Sequence, residues 1–157
     1  MKQIQWEALE FARRNGLDLV TICPTLILGP ILQSTVNAST LVLIKLLKAM
    51  YPCRRVGKQG PIVVDVRDVA QAVLLAYEKP EAEGRYMCTA TTIKARDLVE
   101  ELRSIYPDYN YPKNFIEVEE QQRLSNEKLQ RLGWSVRPLK ETLIDSVESY
   151  KKAGILD

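Results

Sequence analysis

The sequence predicts an α/β fold in which short strands alternate with helices, and three segments support that prediction. Residues 19–23 form a continuous, mostly β-branched run that ends at Pro24, which is typical of a parallel strand buried on both faces. Residues 62–66 and 84–88 predict two further strands, and segments with helical apolar spacing separate them. The order therefore favours a parallel sheet. Because three or four strands are few for an independent sheet, we expect further strands upstream.

The helices of the first half are predicted from their ends as well as from their apolar spacing. The chain begins within a helix that Gly16 ends, and a loop over residues 24–30 follows the first strand. Ser39 is expected to cap the next helix, and Asp68 is expected to cap a helix that Pro80 ends. The inward face of that helix is predicted to hold Val69, Val73, Ala76 and Tyr77.

The last third of the chain predicts three more helices. The first ends at Pro107, the second is short and ends at Gly133, and the third begins near Pro138 and ends before Gly154. The inward faces of the first and third are predicted to hold two apolar stripes: Leu98, Leu102, Ile105 and Tyr106, and Leu139, Leu143, Val147 and Tyr150.

The composition excludes several classes of function. The chain has 157 residues with 22 basic and 20 acidic side chains, and a net charge of +2 gives no basis for binding nucleic acid or an anionic membrane. No histidine is present, which excludes Ser-His-Asp and Cys-His catalysis and metal sites that need imidazole. Cys23, Cys53 and Cys88 are too widely spaced for a disulfide framework or a paired metal site, so we expect reduced thiols in a cytoplasmic protein. The longest apolar cluster, residues 41–47, is too short to span a membrane.

Two sequence features bear on nucleotide chemistry. No glycine-rich G-x-G-x-x-G or Walker-type loop occurs, so the chain lacks an evident cradle for a pyrophosphate. Tyr109 and Lys113 form a literal Tyr-x-x-x-Lys, but catalysis by such a pair needs both side chains on one helical face. Pro112 opposes that helix, so we assign no catalytic residue and no metal ligand. We interpret the tyrosines of residues 106–115 as packing a surface loop rather than stacking on nucleic-acid bases.

Two smaller features leave alternatives open. The basic connection around Arg54, Arg55 and Lys58 is expected to be a solvated loop, with contact to a phosphorylated part of a substrate as the alternative. Cys23 is interpreted as a small core residue, because a nucleophilic thiol would need an activating cation that the sequence does not identify.

Several segments carry a resemblance to a known family. Residues 17–30 read LDLVTICPTLILGP, residues 64–70 read VDVRDVA and residues 137–139 read RPL. These segments resemble the cinnamoyl-CoA reductase and dihydroflavonol reductase branch of the extended short-chain dehydrogenases. The resemblance covers the entire chain and corresponds to the carboxyl-terminal half of a family member. It implies one domain over residues 1–157 with part of a Rossmann-like fold, a few parallel strands and a small helix-rich substrate lobe, without the dinucleotide-binding half.

The resemblance also implies an activity. Members of this plant family transfer hydride from NADPH to a hydroxycinnamoyl-CoA thioester or a related carbonyl in phenylpropanoid and lignin metabolism, with a tyrosine as acid and a lysine beside it. The family lysine aligns with Met1, Lys2 is one position out of register, and the tyrosine would precede the chain. We therefore expect an incomplete enzyme that is inactive alone and binds NADP only when completed. The alternative is a non-catalytic binding or regulatory remnant that associates with a full-length relative.

The residues that match the family's cofactor contacts follow the first strand. They are predicted to lie on the nicotinamide side of the cofactor, in the loop that leaves the carboxyl end of a parallel strand. The predicted cofactor-binding residues are Pro24, Thr25, Leu26, Ile27 and Ser39. As the alternative, Pro24 merely ends a strand and Ser39 merely caps a helix, and the sequence leaves both readings open. Residues 65–68 and 137–138 are interpreted as scaffold.

Overall fold

The computed structural model describes residues 2–50, 61–115 and 124–157, with side chains from Trp6 onward. The helices are α1 (Lys2–Arg14), α2 (Ala38–Leu47), α3 (Val66–Glu78), α4 (Ala95–Ile105), α5 (Glu127–Gln130) and α6 (Leu139–Lys152). The strands are β1 (Val20–Pro24), β2 (Leu26–Leu28), β3 (Ile62–Asp65), β4 (Gly84–Cys88) and β5 (Thr91–Thr92). This alternation of helices with parallel strands confirms the predicted α/β class.

The strands form two small sheets. In the first sheet, β1 and β4 are parallel, in a register that begins with Val20 opposite Gly84 and ends with Pro24 opposite Cys88. In the second, β2 pairs parallel with β3, and β3 pairs antiparallel with β5. The chain crosses from one sheet to the other at Thr25, the single residue between β1 and β2. The predicted loop over residues 24–30 was therefore wrong in part, because a strand too short to be recognised by periodicity lies inside it.

The first strand is less buried than predicted. Val20, Thr21, Ile22 and Cys23 are half-buried and Pro24 is exposed, whereas full burial on both faces was expected. In the described ranges, β4 is the one strand that pairs with β1. A parallel strand reaches full burial only when strands flank both of its edges and helices cover both of its faces, so the single neighbouring strand in the described ranges accounts for the difference.

Two predicted helix caps were wrong. Asn37 caps α2, since its side-chain oxygen accepts a hydrogen bond of 2.9 Å from the Thr40 amide, and Ser39 lies within the first turn. Asp65 caps α3 by accepting from the Arg67 amide at 2.8 Å, and Asp68 is a buried residue of the first turn. In both cases the true cap lies two or three residues before the predicted one. It has the extended backbone conformation that lets its side chain accept a hydrogen bond from the first turn.

The outward faces of α1 and α3 carry more apolar surface than predicted. In α3, Val73 and Tyr77 are exposed, and the helix buries Asp68 and Ala72 instead. In α1, Phe11 is exposed, and Ala12 is the one fully buried side chain among those described. The predicted inward face of α3 was therefore wrong in part, because Val69 and Ala76 are half-buried and Val69 packs against a core.

Two apolar cores hold the fold together. One lies between α2, α4, α6 and the second sheet, and it contains the stripes predicted on α4 and α6 except for the half-buried Ile105. Its fully buried members include Leu43, Leu47, Leu102, Leu143 and Val147. The other packs α3 and the segment around α5 against the β1–β4 sheet, with Tyr86, Leu129 and Trp134 among its members. Gly133 and Gly154 have positive φ angles at the predicted helix ends, which confirms those two stops. No helix within the described ranges combines the length and apolar content needed to cross a bilayer.

Candidate functional site

The carboxyl ends of the parallel strands define one edge of the molecule. β1 and β4 end in register at Pro24 and Cys88, and β2 and β3 end in register at Leu28 and Asp65. Open α/β folds bind their ligands beyond the carboxyl ends of such strands. Thr25, which links β1 to β2, and Gly29, which follows β2, therefore lie where a ligand is expected.

Thr25 has an unsatisfied polar group at this edge. Its amide donates to the Cys88 carbonyl at 3.3 Å, but its buried hydroxyl has no hydrogen-bond partner among the described residues. Leaving a buried hydroxyl without a partner costs about 1–3 kcal/mol. A polar group of a cofactor that reached this position would satisfy it, so the residue fits the predicted cofactor contact.

The other predicted contacts have mixed surroundings. Pro24 is exposed, the Leu26 side chain packs against the core around α6, and the Ile27 side chain packs against the core beneath the β1–β4 sheet. Ile27 also lines a cavity of about 80 Å³ that extends over Gly29 to Tyr150. The half-buried Ser39 is not among the residues that line this cavity. Asn37 and Thr40, on either side of Ser39 in the sequence, line the same cavity as Ile27, so Ser39 lies in a segment next to it.

Two serines of α6 accept hydrogen bonds from the backbone that follows β2. The Gly29 amide donates to the Ser146 hydroxyl at 2.8 Å, and the Ile31 amide donates to the Ser149 hydroxyl at 2.9 Å. Gly29 has φ +125°, and a Cβ there would come within 2.8 Å of Val66 Cγ1, so the position requires glycine. Sequence reasoning missed both serines, although their positions beside the apolar stripe of α6 place them on its inward face.

An ion-pair network ties α3 to α6 next to this segment. The Arg67 guanidinium contacts the carboxylates of Asp65 at 2.8 Å and Asp145 at 2.7 Å. The Arg137 guanidinium pairs with the buried Asp68. The Glu141 carboxylate lies within 4 Å of both guanidinium groups. Burial alone would raise the pKa of Asp65, but the hydrogen bonds from Arg67 hold it below its ordinary value. Because both arginines are paired with carboxylates, this geometry supports the scaffold interpretation.

The segment that holds the Tyr-x-x-x-Lys is not helical. The Tyr109 hydroxyl donates to the Asp157 carbonyl at 2.7 Å, and the Tyr111 hydroxyl donates to the Tyr106 carbonyl at 2.7 Å. Burial raises the pKa of Tyr111 to about 12, and burial together with the Asp157 charge raises the pKa of Tyr109. A catalytic pair would instead lower the pKa of the tyrosine, so the geometry agrees with assigning no catalysis to this segment.

The remaining predictions fall partly outside the described residues. Arg54, Arg55, Lys58 and Met1 lie outside them, so their predicted roles are untested. Cys23 is half-buried, and its sulfur accepts a hydrogen bond of 3.2 Å from Arg85 Nε. Across the described ranges, no group of three or more cysteine, aspartate or glutamate residues is placed to hold a metal ion.

The comparisons with known proteins identify the family. No protein-family model matches the sequence. Cinnamoyl-CoA reductase 1 of Petunia hybrida is 38% identical over 99% of this chain, and the alignment covers 46% of that protein. Dihydroflavonol 4-reductase of Zea mays is 30% identical over 95% of the chain and 43% of its own length. Over nearly its whole length the chain is homologous to cinnamoyl-CoA and dihydroflavonol reductases.

Solved structures agree on the fold of this family member. The match with vestitone reductase from alfalfa covers 94% of this chain and 49% of the vestitone reductase chain, with a TM-score of 0.81 and 24% sequence identity. The match with the Bordetella bronchiseptica enzyme WbmF, solved with NADH, covers 94% of this chain and 50% of the WbmF chain, with a TM-score of 0.75 and 19% sequence identity. The chain thus spans about half the length of the relatives it matches, which is consistent with the predicted carboxyl-terminal half.

Proposed function

We propose that this chain forms one wall of the cofactor and substrate cleft of a reductase. The complete protein would transfer hydride from NADPH to the carbonyl of a hydroxycinnamoyl-CoA thioester or a related small molecule, in the plant cytoplasm and in phenylpropanoid metabolism. The observation that carries this proposal is the buried, unpartnered hydroxyl of Thr25 at the carboxyl edge of two parallel strands. The family membership, with curated relatives that are reductases, supports it.

The wall formed by this chain and the second wall of the cleft would contribute different groups to catalysis. The Thr25 hydroxyl would hydrogen-bond a polar edge of the nicotinamide, the backbone from Pro24 to Ile27 would shape the pocket beside it, and Ser39 would make a further contact. The bound cofactor supplies the hydride. Because the sequence has no glycine-rich cradle, the second wall must hold the pyrophosphate and supply the proton donor. We therefore expect the amino-terminal dinucleotide-binding half of a family member to be required for activity.

A titration with NADPH tests the proposal. The purified 157-residue chain should bind NADPH weakly or not at all, whereas the chain joined to an amino-terminal half from a relative should bind it and reduce a hydroxycinnamoyl-CoA. In that joined protein, Thr25→Val should weaken NADPH binding by about fivefold to tenfold, since one net hydrogen bond is worth about 1 kcal/mol. Thr21→Val, the same substitution within β1, should leave binding unchanged.

The alternative, a non-catalytic binding or regulatory protein of reductase ancestry, predicts a different outcome. If the joined protein is folded but neither binds NADPH nor reduces a hydroxycinnamoyl-CoA, the reductase proposal fails and the alternative is favoured. Tight binding and turnover by the 157-residue chain alone would also contradict the proposal, because these residues would then contain a complete nucleotide pocket.

A further inference from the structure

We infer that a surface cavity between the carboxyl-terminal ends of α4 and α6 is a binding site for a small organic cation with alkyl groups on its ammonium nitrogen. The cavity has a volume of about 390 Å³ and is lined by residues 105–109 together with Lys151 and Asp157. None of these residues belongs to the predicted cofactor contacts, so this binding site goes beyond the proposed function.

Two tyrosine rings form adjoining walls of the cavity. Tyr106 follows α4 directly, and Tyr109 lies three residues later. The ring centroids are 6.3 Å apart and the ring planes make an angle of 77°, so the two rings meet almost at a right angle. Ile105 and Pro107 add apolar surface beside them. Because the face of a tyrosine ring attracts a cation, aromatic walls of this kind suit an alkylated ammonium group.

A cation of the chain itself lies over both rings. The Lys151 ammonium is 5.0 Å from the centroid of the Tyr106 ring and 5.9 Å from the centroid of the Tyr109 ring. It also pairs with the Glu148 carboxylate at 3.9 Å, and both of these charged side chains are exposed. An ion pair between exposed side chains contributes about 1 kcal/mol or less. The position of the ammonium therefore marks where the cavity favours positive charge, and a ligand can displace the lysine at low cost.

The carboxylates around the cavity also favour a positive ligand. Asp108 and Asp157 line it, and the Glu148 carboxylate accepts a hydrogen bond of 2.9 Å from the Tyr106 hydroxyl. Burial and the charge of Asp157 raise the pKa of Tyr109, so its hydroxyl stays protonated and its ring stays neutral. Among the described residues that line the cavity, the two aspartates outnumber the one lysine. This balance of charge disfavours an anionic ligand.

The cavity and the segment that follows β2 lie on opposite sides of α6. An α-helix has about 3.6 residues per turn, so Glu148 and Lys151 share one face while Ser146 and Ser149 share the opposite face. Those two serines accept the hydrogen bonds from the backbone after β2. A ligand in the cavity therefore leaves these hydrogen bonds in place. Because every lining residue belongs to this chain, the site can be tested without NADPH, and its test does not depend on the proposed function.

An NMR titration of the purified 157-residue chain with choline tests this site. We expect saturable chemical-shift changes of tyrosine ring protons as choline is added. Sodium chloride keeps the ionic strength constant during the titration, because salt screens the attraction between exposed charges. The matched ligand is the neutral carbon analogue of choline, in which a tert-butyl group replaces the trimethylammonium group. It should bind at least about fivefold more weakly, because it has the same shape without the charge.

Two pairs of variants separate the contributions of the lysine and the ring. Lys151→Met should tighten choline binding by about threefold to fivefold, because it removes the competing ammonium and keeps an apolar side chain. Lys140→Met removes the same charge near the start of α6 and should change the affinity by less than about twofold. Tyr109→Leu should weaken binding by about threefold to fivefold, whereas Tyr109→Phe keeps the ring and should leave binding unchanged.

Three outcomes would overturn the inference. The first is a folded wild-type chain that shows no saturable shifts with choline. The second is equal binding of choline and its neutral analogue, because the cavity would then select apolar surface and not charge. The third is weaker choline binding by Lys151→Met, because the lysine would then help to hold the ligand instead of competing with it. Lys151 is exposed, so its variant still decides the question if Tyr109→Leu does not fold.

Discussion

The lobe built from α2, α4 and α6 is one extreme of packing in this chain, and the α1–β1 face, which comprises strand β1 and the exposed side chains of Trp6 and Phe11, is the other. Leu43, Leu102 and Leu143 in the lobe are fully buried, whereas Trp6 and Phe11 on the α1–β1 face are mostly exposed. Both regions are rich in apolar residues, so composition does not distinguish them. The difference teaches that the lobe obtains its packing partners from this chain, while the described residues leave the side chains of the α1–β1 face exposed.

The physical reason lies in how the two kinds of element bury their surface. Each helix of the lobe buries one stripe, and α4 and α6 cover one another's stripes within the same chain. A parallel strand such as β1 needs neighbours along its edges and helices on both faces. Among the described residues β1 has one neighbouring strand, β4, so its side chains stay half-buried or exposed.

The largest expected effect is the loss of a core side chain in the lobe. Leu143→Ala should lower the free energy of unfolding by about 2–5 kcal/mol, because it removes transfer energy and leaves a cavity among fully buried neighbours. Urea denaturation followed by circular dichroism measures the change. A loss below about 1 kcal/mol would mean that the lobe is not a well-packed core.

A smaller effect is expected at the ion pair between Asp65 and Arg67 at the start of α3. Asp65→Asn should destabilise the chain at neutral pH by about 1.5–3 kcal/mol, because the Asp65 carboxylate accepts two hydrogen bonds from the Arg67 guanidinium. Since folding lowers the pKa of Asp65, its contribution is present above the ordinary value of 3.8 and is lost as the pH falls through the folded-state pKa.

Unfolding measured between pH 7 and pH 2 tests the ion-pair prediction. The variant should lose less stability than the wild type as the medium becomes acidic. Equal pH dependence in both proteins would mean that Asp65 does not couple folding to proton binding. Asp97→Asn, a substitution of an exposed carboxylate in the first turn of α4, serves as the control.

Thr25→Val should raise the stability of the chain slightly. Because the buried hydroxyl has no partner among the described residues, its removal should increase the free energy of unfolding by up to about 1 kcal/mol, although the same change weakens NADPH binding in the completed protein. Thermal unfolding measures the first effect. A clear destabilisation would show that the hydroxyl already has a partner and is not reserved for a cofactor.

The smallest effect is expected on the α1–β1 face. Phe11→Ser should change the free energy of unfolding by less than about 0.5 kcal/mol in the isolated chain, because the ring is mostly exposed. The same urea titration used for Leu143→Ala provides the comparison. A loss above about 1 kcal/mol would show that Phe11 packs within the chain, and the contrast between the two regions would disappear.

Features that depend on the spacing of neighbouring residues were predictable from the sequence. The stripes of α4 and α6, the helix stops at Gly133 and Gly154, and the α/β order all depend on periodicity or on backbone preferences within one element. The family resemblance also lies in contiguous motifs, such as residues 17–30, and the comparisons confirm it.

Features that depend on distant residues needed the folded chain. Asp68 looks like a helix cap in the sequence, but Arg137, 69 residues away, makes it a buried ion-pair partner, and Gly29 is held by Ser146, 117 residues away. The exposure of β1 likewise depends on which strands surround it. Periodicity within one element carries no information about such long-range contacts, because they form only when the elements pack together.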